Sequence, residues 1–395
     1  SHDEKFLKLI IFFRKAPQDQ MFYQILAHAM AISGLGAYNW KWYKYPMKLK
    51  PTFYKMHTRF VFAFVGTYFF MMFLFLFTSF SKLSKTALGA VYSILPIAFL
   101  VNVKVFSAQF DSYRKVLRDY MEKIHLYNYY IKNKRITLFI SMSLTWITWT
   151  ITPILYNQTK YDSIINGTDI FLTCAYIYLP FEYLNDYNNW LIVNTISICA
   201  TFSGSILICT FEILNYIIVF NLIGHIYVMK DNIKNRFSNK NEWEIRNNLR
   251  DLINHHVFVI KTCRDVEAVF GLNVIGNYTQ NLLEGGILMY HFMLGEKESM
   301  LTYGVMIVIY MGGLLILSLV LEGIRIAAED LAEALYCTPW EQMSVSNQKI
   351  LLIILLKVQV PLQFIAAGGF RPGILPALSI IKKTFSCYVI IKSSI

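Results

Sequence analysis

Two consecutive lysines, Lys382 and Lys383, stand near the middle of 374–395, an apolar stretch just long enough to cross a bilayer. An ammonium group at that depth is costly unless it reaches water or a counter-charge. At helical spacing Lys383, Ser386, Ile390 and Ser393/Ser394 form one stripe, polar except at Ile390. Such a stripe suits the wall of a water-filled conduit; the alternative is a displaced helix whose lysines snorkel. A second cluster, Glu322, Glu329, Asp330 and Glu333 with Arg325, could line a cation exit route or form a charged helix face entering the cytosol. A third group, Trp146, Thr148, Trp149, Thr152 and Tyr156, fits an interfacial aromatic belt. Because Trp146 sits in mid-span, the same group also fits the wall of an apolar ligand pocket.

Other chemistry is weakly marked. His255-His256 lies among Asn, Arg and Asp and reads as a solvated helix face rather than a metal site. There is no Walker A, HExxH or GxSxG pattern, and Gly34-Leu35-Gly36 lacks the third glycine and the preceding strand of a dinucleotide fingerprint. The 6 cysteines are scattered without a CxxC pair. The expectation is a non-enzyme with no metal and no cofactor.

The elements that must hold these residues are membrane helices. The chain of 395 residues is 55% hydrophobic and only 16% charged, whereas a soluble domain carries about a quarter charged residues. A net charge of +12 raises nucleic acid as a partner, but that requires a basic patch on a soluble domain. Here Lys and Arg fall between apolar runs, so lipid is the expected surrounding and nucleic-acid binding is not expected.

A span needs about 20 largely uncharged residues. The runs Phe60–Phe80, Thr86–Val103, Ile136–Tyr156, Trp190–Phe211, Ala268–Gly295 and Ser299–Leu321 qualify, the fourth continuing as a helix to Met229. The last apolar region breaks at Gly368-Gly369-Phe370-Arg371-Pro372-Gly373, a strong helix breaker. It therefore reads as a helix over Ile350–Ala367 and a crossing helix over Ile374–Ile395. Asp19–Ser33 reads as an interfacial or re-entrant helix, and Phe6–Phe13 is too short for a span. The expected fold is all-α with seven transmembrane helices.

Nine Lys/Arg lie before residue 58, seven in 108–135 and eight in 229–265, against one or two in each alternate loop. Positive loops stay cytosolic, so the N-terminus is expected inside and the C-terminus outside. Two N-glycosylation sequons, at Asn157 and Asn166, fall in the expected outer loop 156–189. A third sequon, Asn277-Tyr278-Thr279, lies within a span and reads as chance.

The C-terminal region carries Tyr336-Cys337-Thr338-Pro339-Trp340, Gln359-Val360-Pro361-Leu362, Ala367-Gly368-Gly369-Phe370, Ser379-Ile380-Ile381-Lys382 and Thr384-Phe385-Ser386-Cys387-Tyr388. In order and spacing these resemble the closing signature of insect odorant receptors over about sixty residues; elsewhere the chain agrees in length and span pattern. The resemblance implies an odorant-gated, nonselective cation channel built as a heterotetramer with a common coreceptor. It implies three regions: a transmembrane ligand-binding region over 1–323, a cytosolic assembly anchor over 324–369 and a pore-lining helix over 370–395. It implies a pocket in the outer half between the second, third, fourth and sixth spans, for which Tyr92, Trp146, Trp149, Thr152, Phe202, Tyr303, Met306 and Tyr310 are the candidates.

Those side chains are mostly apolar with a few hydroxyls, which suits a small volatile such as a terpenoid or ester. Ile390 and Ser394 fall where the coreceptor family places its apolar gate, and Ser394 departs from it by being polar. Lys383 is also unusual, since a cation in a cation pore repels the permeant ion. The long cytosolic insertion of the coreceptor is missing, so the resemblance is to a ligand-tuning subunit. A gustatory receptor would close on a Thr-Tyr and Gln-Phe pattern, which is not found. A transporter would need broken midplane helices in both halves, and only the last helix shows a break.

Overall fold

The computed structural model describes residues 28–30, 51–79, 85–108, 112–113, 115–116, 134–237, 241–294 and 297–394. Among them are nine α-helices, two short 3-10 turns and no strand. In chain order the helices are α1 (Pro51–Ser79), α2 (Lys85–Ala108), α3 (Lys134–Thr159), α4 (Tyr161–Ile165), α5 (Tyr187–Arg236), α6 (Glu242–Leu294), α7 (Lys297–Tyr336), α8 (Val345–Val358) and α9 (Ile374–Ser394).

Local rules account for their ends. Pro51 opens α1, where its missing N–H would have had no partner anyway. Asp186 caps α5 by accepting from the Asn188 N–H. Pro96 in α2 and Pro153 in α3 each remove an intrahelical bond in mid-helix. The left-handed Gly368 and Gly369 (φ 67° and 77°) close the approach to α9, a conformation that side chains with a Cβ resist.

Four helical stretches, 55–79, 88–108, 187–236 and 300–336, are apolar and long enough to cross a bilayer by composition alone. The three other long helices, α3, α6 and α9, carry more polar side chains. Lipid exposure differs among them: α1 shows most of its surface outward, while α5 is buried along most of its length. The fold is thus a seven-helix membrane bundle built round α6, which packs against α2, α5, α7 and α9.

Two expectations need correction. The stretch 229–265 is largely helix rather than loop: α5 runs to Arg236 and α6 begins at Glu242, well before the expected Ala268. With 50, 53 and 40 residues in α5, α6 and α7, these helices reach about 60–80 Å at 1.5 Å per residue, far beyond the ~30 Å hydrocarbon. The helix expected over Ile350–Ala367 runs instead over Val345–Val358, since Pro361 cannot donate and restrains the residue before it. The two helices expected on either side of the glycine break are present as α8 and α9, separated by an irregular 359–373 segment with one 3-10 turn.

The stretch 156–189 is not solvated throughout. After α4 the segment 171–177 is buried throughout and tucked into the bundle, with Tyr176 stacked on Phe75 at 5.3 Å. Of Asp19–Ser33, only the helical 28–30 is described; the remainder, Phe6–Phe13 and most of the basic 108–135 stretch lie outside the described residues.

Candidate functional site

A cavity of ≈ 100 Å³ lies in the half of the bundle roofed by 171–177, called the outer half below, and is walled by α1, α2, α3, α5 and α7. At about 10–15 Å³ per water-sized group, it accommodates several such groups. Small residues on α5 create the space. Thr201, Gly204, Ser205 and Ile208 face the cavity together, which is the i, i+3, i+4, i+7 face of one helix. Opposite them stand aromatics: Phe64, Tyr68 and Phe69 from α1, Trp146 and Trp149 from α3, and Tyr310 from α7. Ile94, Ile97, Ala98, Val101 and Asn102 supply the α2 wall, and Met306 joins Tyr310.

The polar atoms of this wall are mostly used by the protein itself. The Tyr68 hydroxyl donates to Ser197 Oγ at 2.8 Å, and Asn102 Nδ2 donates to the Ala98 carbonyl at 2.8 Å. Trp149 Nε1 donates to the Cys174 carbonyl at 2.8 Å, tying the wall to the buried loop above it. The Trp146 indole N–H is different: it is buried and has no hydrogen-bond partner. A buried donor left unpaired costs about 1–3 kcal/mol.

The loop closes the outer end. Asn157 donates its Nδ2 to the Leu172 carbonyl at 2.9 Å and accepts the Leu172 N–H at 2.7 Å. Trp190 Nε1 donates to the same carbonyl at 3.0 Å. Asn194 accepts the Cys174 N–H at 3.1 Å, and Ser197 Oγ donates to the Ala175 carbonyl at 3.0 Å. Asn157 is only 5% exposed and serves as a structural pin. A glycan needs that nitrogen free and in solvent, so the sequon at Asn157 is a correction to the sequence expectation. Asn166 is exposed and caps α4 beside the left-handed Gly167.

Of the expected pocket residues, Trp146, Trp149, Met306 and Tyr310 line the cavity and the others do not. Phe202 packs on Trp146 at 4.9 Å and is 45% exposed on the surface of the bundle. Thr152 Oγ1 is bonded to Thr302 Oγ1 at 2.5 Å. Tyr303 is buried behind Met306 beside Leu288, and Tyr92 is half-buried outside the lining. The missed wall residues had one readable signal, the small Thr201-Gly204-Ser205 stripe in an apolar helix; the α1 aromatics had none, being part of a uniformly apolar run.

Below the cavity the bundle is polar and closed. Lys104 and Glu212, buried at 0% and 6% exposure, pair at 2.5 Å, and Asn277 donates to the same Glu212 oxygen at 2.8 Å. Gln280 donates to Glu284, which is itself fully buried.

Towards the C-terminal end of α7 the acidic cluster is paired. Arg325 binds Glu322 at 2.6 Å and also Glu329, and Lys230 binds Asp330 at 2.6 Å. That is the charged helix face rather than an open cation route. His255 is not on a solvated face: its Nε2 lies 3.0 Å from His225 Nδ1, and burial holds its pKa below the ordinary imidazole value. Among the described residues no cluster of three or more His, Cys, Asp or Glu could hold a metal.

On α9, Ala377, Ile380 and Thr384 are buried, while Lys382, Lys383, Phe385, Ser386 and Val389 are exposed in the single chain. Ser386 Oγ donates to the Lys382 carbonyl at 2.9 Å. Ile390 and Ser394 belong to the helix, but their side chains lie outside the described residues.

Comparison with known proteins agrees with this architecture. The family model described as 7tm Odorant receptor matches residues 106–385. The olfactory receptor OR5 of Machilis hrabei superimposes with a TM-score of 0.77 at 13% identity, covering 94% of this chain and 97% of that one. Its complex with eugenol superimposes with a TM-score of 0.76 at 12% identity, with the same coverage. No curated protein matches significantly.

Proposed function

This chain belongs to the 7tm odorant receptor family, a family of receptors rather than enzymes, and from that premise we propose that it is the ligand-tuning subunit of an odorant-gated, nonselective cation channel whose pore it shares with coreceptor subunits. The observation that carries this reading is the aromatic cavity of the outer half, closed above by 171–177, with the unpaired Trp146 indole in its wall. Such a site takes a small, largely apolar molecule with a single acceptor oxygen. Terpenoids, esters and phenols of the eugenol kind, the ligand in the Machilis hrabei complex, belong to that class.

The pore assignment rests on α9. Lys383 and Ser386 sit on a face that one chain leaves exposed, and four such faces round an axis make a hydrated wall with Ile390 as its apolar constriction. Four copies of Lys383 round one axis repel each other and the permeant cation. A mixed ring with a partner lacking that lysine avoids this, so the reading favours a heterotetramer. Ser394 stands at the outer end of the same stripe.

In this reading 1–323 is the ligand-binding region, 324–369 the cytosolic assembly anchor and 370–395 the pore helix, with α7 running unbroken from the first into the second. The N-terminus is cytosolic, the C-terminus extracellular and the membrane that of a sensory neuron. The glycan attaches at Asn166.

The test is patch-clamp recording of cells that express the chain with and without a coreceptor, under a panel of terpenoid, ester and phenylpropanoid volatiles including eugenol. Evoked cation current with the coreceptor and little or none without it is the expected result. Robust current from the chain alone contradicts the obligate partnership, and agonists restricted to sugars or charged amino acids contradict the pocket.

A further inference from the structure

We propose that Tyr278 is a positioning residue that couples the outer pocket to the start of the pore helix, linked to the pocket floor through Asn277 and the buried Lys104–Glu212 pair; this rests on the channel reading above. The floor comes first. Val101 lines the cavity one turn before Lys104 on α2, and Ile208 lines it one turn before Glu212 on α5. Residues three or four apart share a helix face, so the ion pair lies directly beneath the cavity. A guest that spreads or draws together α2 and α5 changes the geometry of this pair before anything else below.

Asn277 carries the contact onto α6 through its 2.8 Å bond to Glu212. The next residue, Tyr278, faces the other way, towards the terminal helix. Its hydroxyl accepts the Gly373 N–H at 3.1 Å and lies 2.6 Å from Ser318 Oγ and 3.3 Å from the Gly373 carbonyl. Its ring meets Phe370 edge-on at 5.0 Å. Gly373 is the residue immediately before α9, so this single hydroxyl holds the point from which the pore helix departs. A Cβ at Gly373 would collide with the Glu322 carboxylate, which leaves the departure little slack.

The rest of the approach to α9 is held lower on the same helix. Glu267 accepts the Ile365 N–H at 2.8 Å, and a Cβ at Gly271 would stand 2.7 Å from the Ala367 nitrogen. Those contacts fix the segment on its cytosolic side. Tyr278 is the tie nearest the pore helix and also the one beside the residue that reads the pocket floor.

A buried ion pair is a weak way to gain stability, since apolar residues of similar volume do as well. A polar group at membrane depth more often marks function. A ligand shifts a two-state equilibrium only as far as its affinity differs between the states. Here the states differ in the spacing of α2 and α5, and rigid α6 passes that difference to Gly373.

The experiment uses the full chain with its coreceptor, the most active member of the volatile panel, and two variants, Tyr278→Phe and Ser318→Ala. Surface copies are counted by biotinylation. Pocket occupancy is read as agonist protection of Ser205→Cys from a thiol reagent, and maximal evoked current is expressed per surface receptor. Losing one hydrogen bond of the tie shifts the opening equilibrium about fivefold. Maximal current per surface receptor therefore falls about fivefold in Ser318→Ala and further in Tyr278→Phe, which loses the contacts to Gly373 as well, while the concentration giving half protection stays unchanged. Pairing Tyr278→Phe with Lys104→Met/Glu212→Met gives no further fall, because the changes lie on one path.

A purely structural Tyr278 would lower the surface count and leave current per receptor intact, which overturns the proposal. Should Tyr278→Phe fail to reach the surface, unchanged current per receptor in Ser318→Ala overturns it equally. A wild-type complex that gives no agonist current defeats the channel reading itself, a separate and recognisable outcome.

Discussion

The outer and inner halves of this bundle are built by opposite means. The outer half is aromatic and leaves a ≈ 100 Å³ space, because small Thr201, Gly204 and Ser205 face large Trp146, Trp149 and Tyr68 across it. The inner half is closed by the long α5, α6 and α7, whose apolar side chains form one extended cluster with those of α8 and α9. It holds its charges in pairs such as Lys104–Glu212 and Lys230–Asp330. A core with a hole in it has given up packing energy, and the gain it keeps in reserve is a binding site. The packed half has no such reserve, and so it serves as the frame against which a change in the other half can be transmitted.

The largest expected effect is at the boundary between the two. Glu212→Ala leaves the Lys104 ammonium buried without a counter-charge, which costs about 3–5 kcal/mol. Surface expression should collapse, and Lys104→Met/Glu212→Met should restore most of it by biotinylation. Full expression of Glu212→Ala would mean that water reaches Lys104 and that the inner half is less closed than described.

Within the outer half, Trp146→Ala removes a large wall and the free donor together. A loss of about 2 kcal/mol, the size of an anchor residue at a binding site, raises the half-maximal agonist concentration roughly thirtyfold. Enlarging the cavity also costs packing energy, so the dose–response is read on receptors counted at the surface. An unchanged dose–response would move the ligand out of this cavity.

The loop that roofs the pocket yields a smaller effect. Asn166→Gln should abolish the glycosidase-sensitive mobility shift on gels. Asn157→Gln should leave that shift in place and cost about 1–3 kcal/mol through the two lost bonds to Leu172. A shift that depends on Asn157 would mean that the loop is not tucked in.

The smallest effect concerns the half-buried histidines of the inner half. Burial lowers the His255 pKa below 6.5, so the folded state binds fewer protons there than the unfolded chain. Its contribution is present above about pH 6.5 and is lost as pH falls below that value. Melting of the purified complex should therefore drop modestly between pH 7 and pH 5.5, and His255→Gln should flatten the slope.

The same contrast explains what the sequence disclosed. Hydropathy marked α1, α2, α5 and α7 most clearly because lipid demands long uncharged runs, and Gly368-Gly369 marked the break before α9. The inner extension of α6 was hidden: residues 242–267 are polar on the face that carries Arg246, Arg250 and Asp251, and polarity there resembles a loop. The tucked segment left a signal that its position masked, since Phe171-Leu172-Thr173-Cys174-Ala175-Tyr176-Ile177 is too apolar for solvent. The pocket was half legible. Large aromatics on α3 and α7 were readable as candidates, whereas the space itself comes from what is missing on α5, and Phe202 lies one residue away from that face. Asn157 shows the reverse error, a motif that fits a modification while its side chain serves the fold.

The central claim is that ligand is sensed in the outer half and the ion path is formed by α9. One set of recordings tests it most directly: agonist dose–response and basal current for Trp146→Ala and Ile390→Ser, each co-expressed with the coreceptor. Trp146→Ala should shift the half-maximal concentration and leave basal current alone. Ile390→Ser, which wets an apolar constriction, should raise basal current or alter ion selectivity and leave the half-maximal concentration within about threefold, a difference of less than 1 kcal/mol. An agonist shift at Ile390 without any change in basal current or selectivity would place the terminal helix at the ligand and contradict the account.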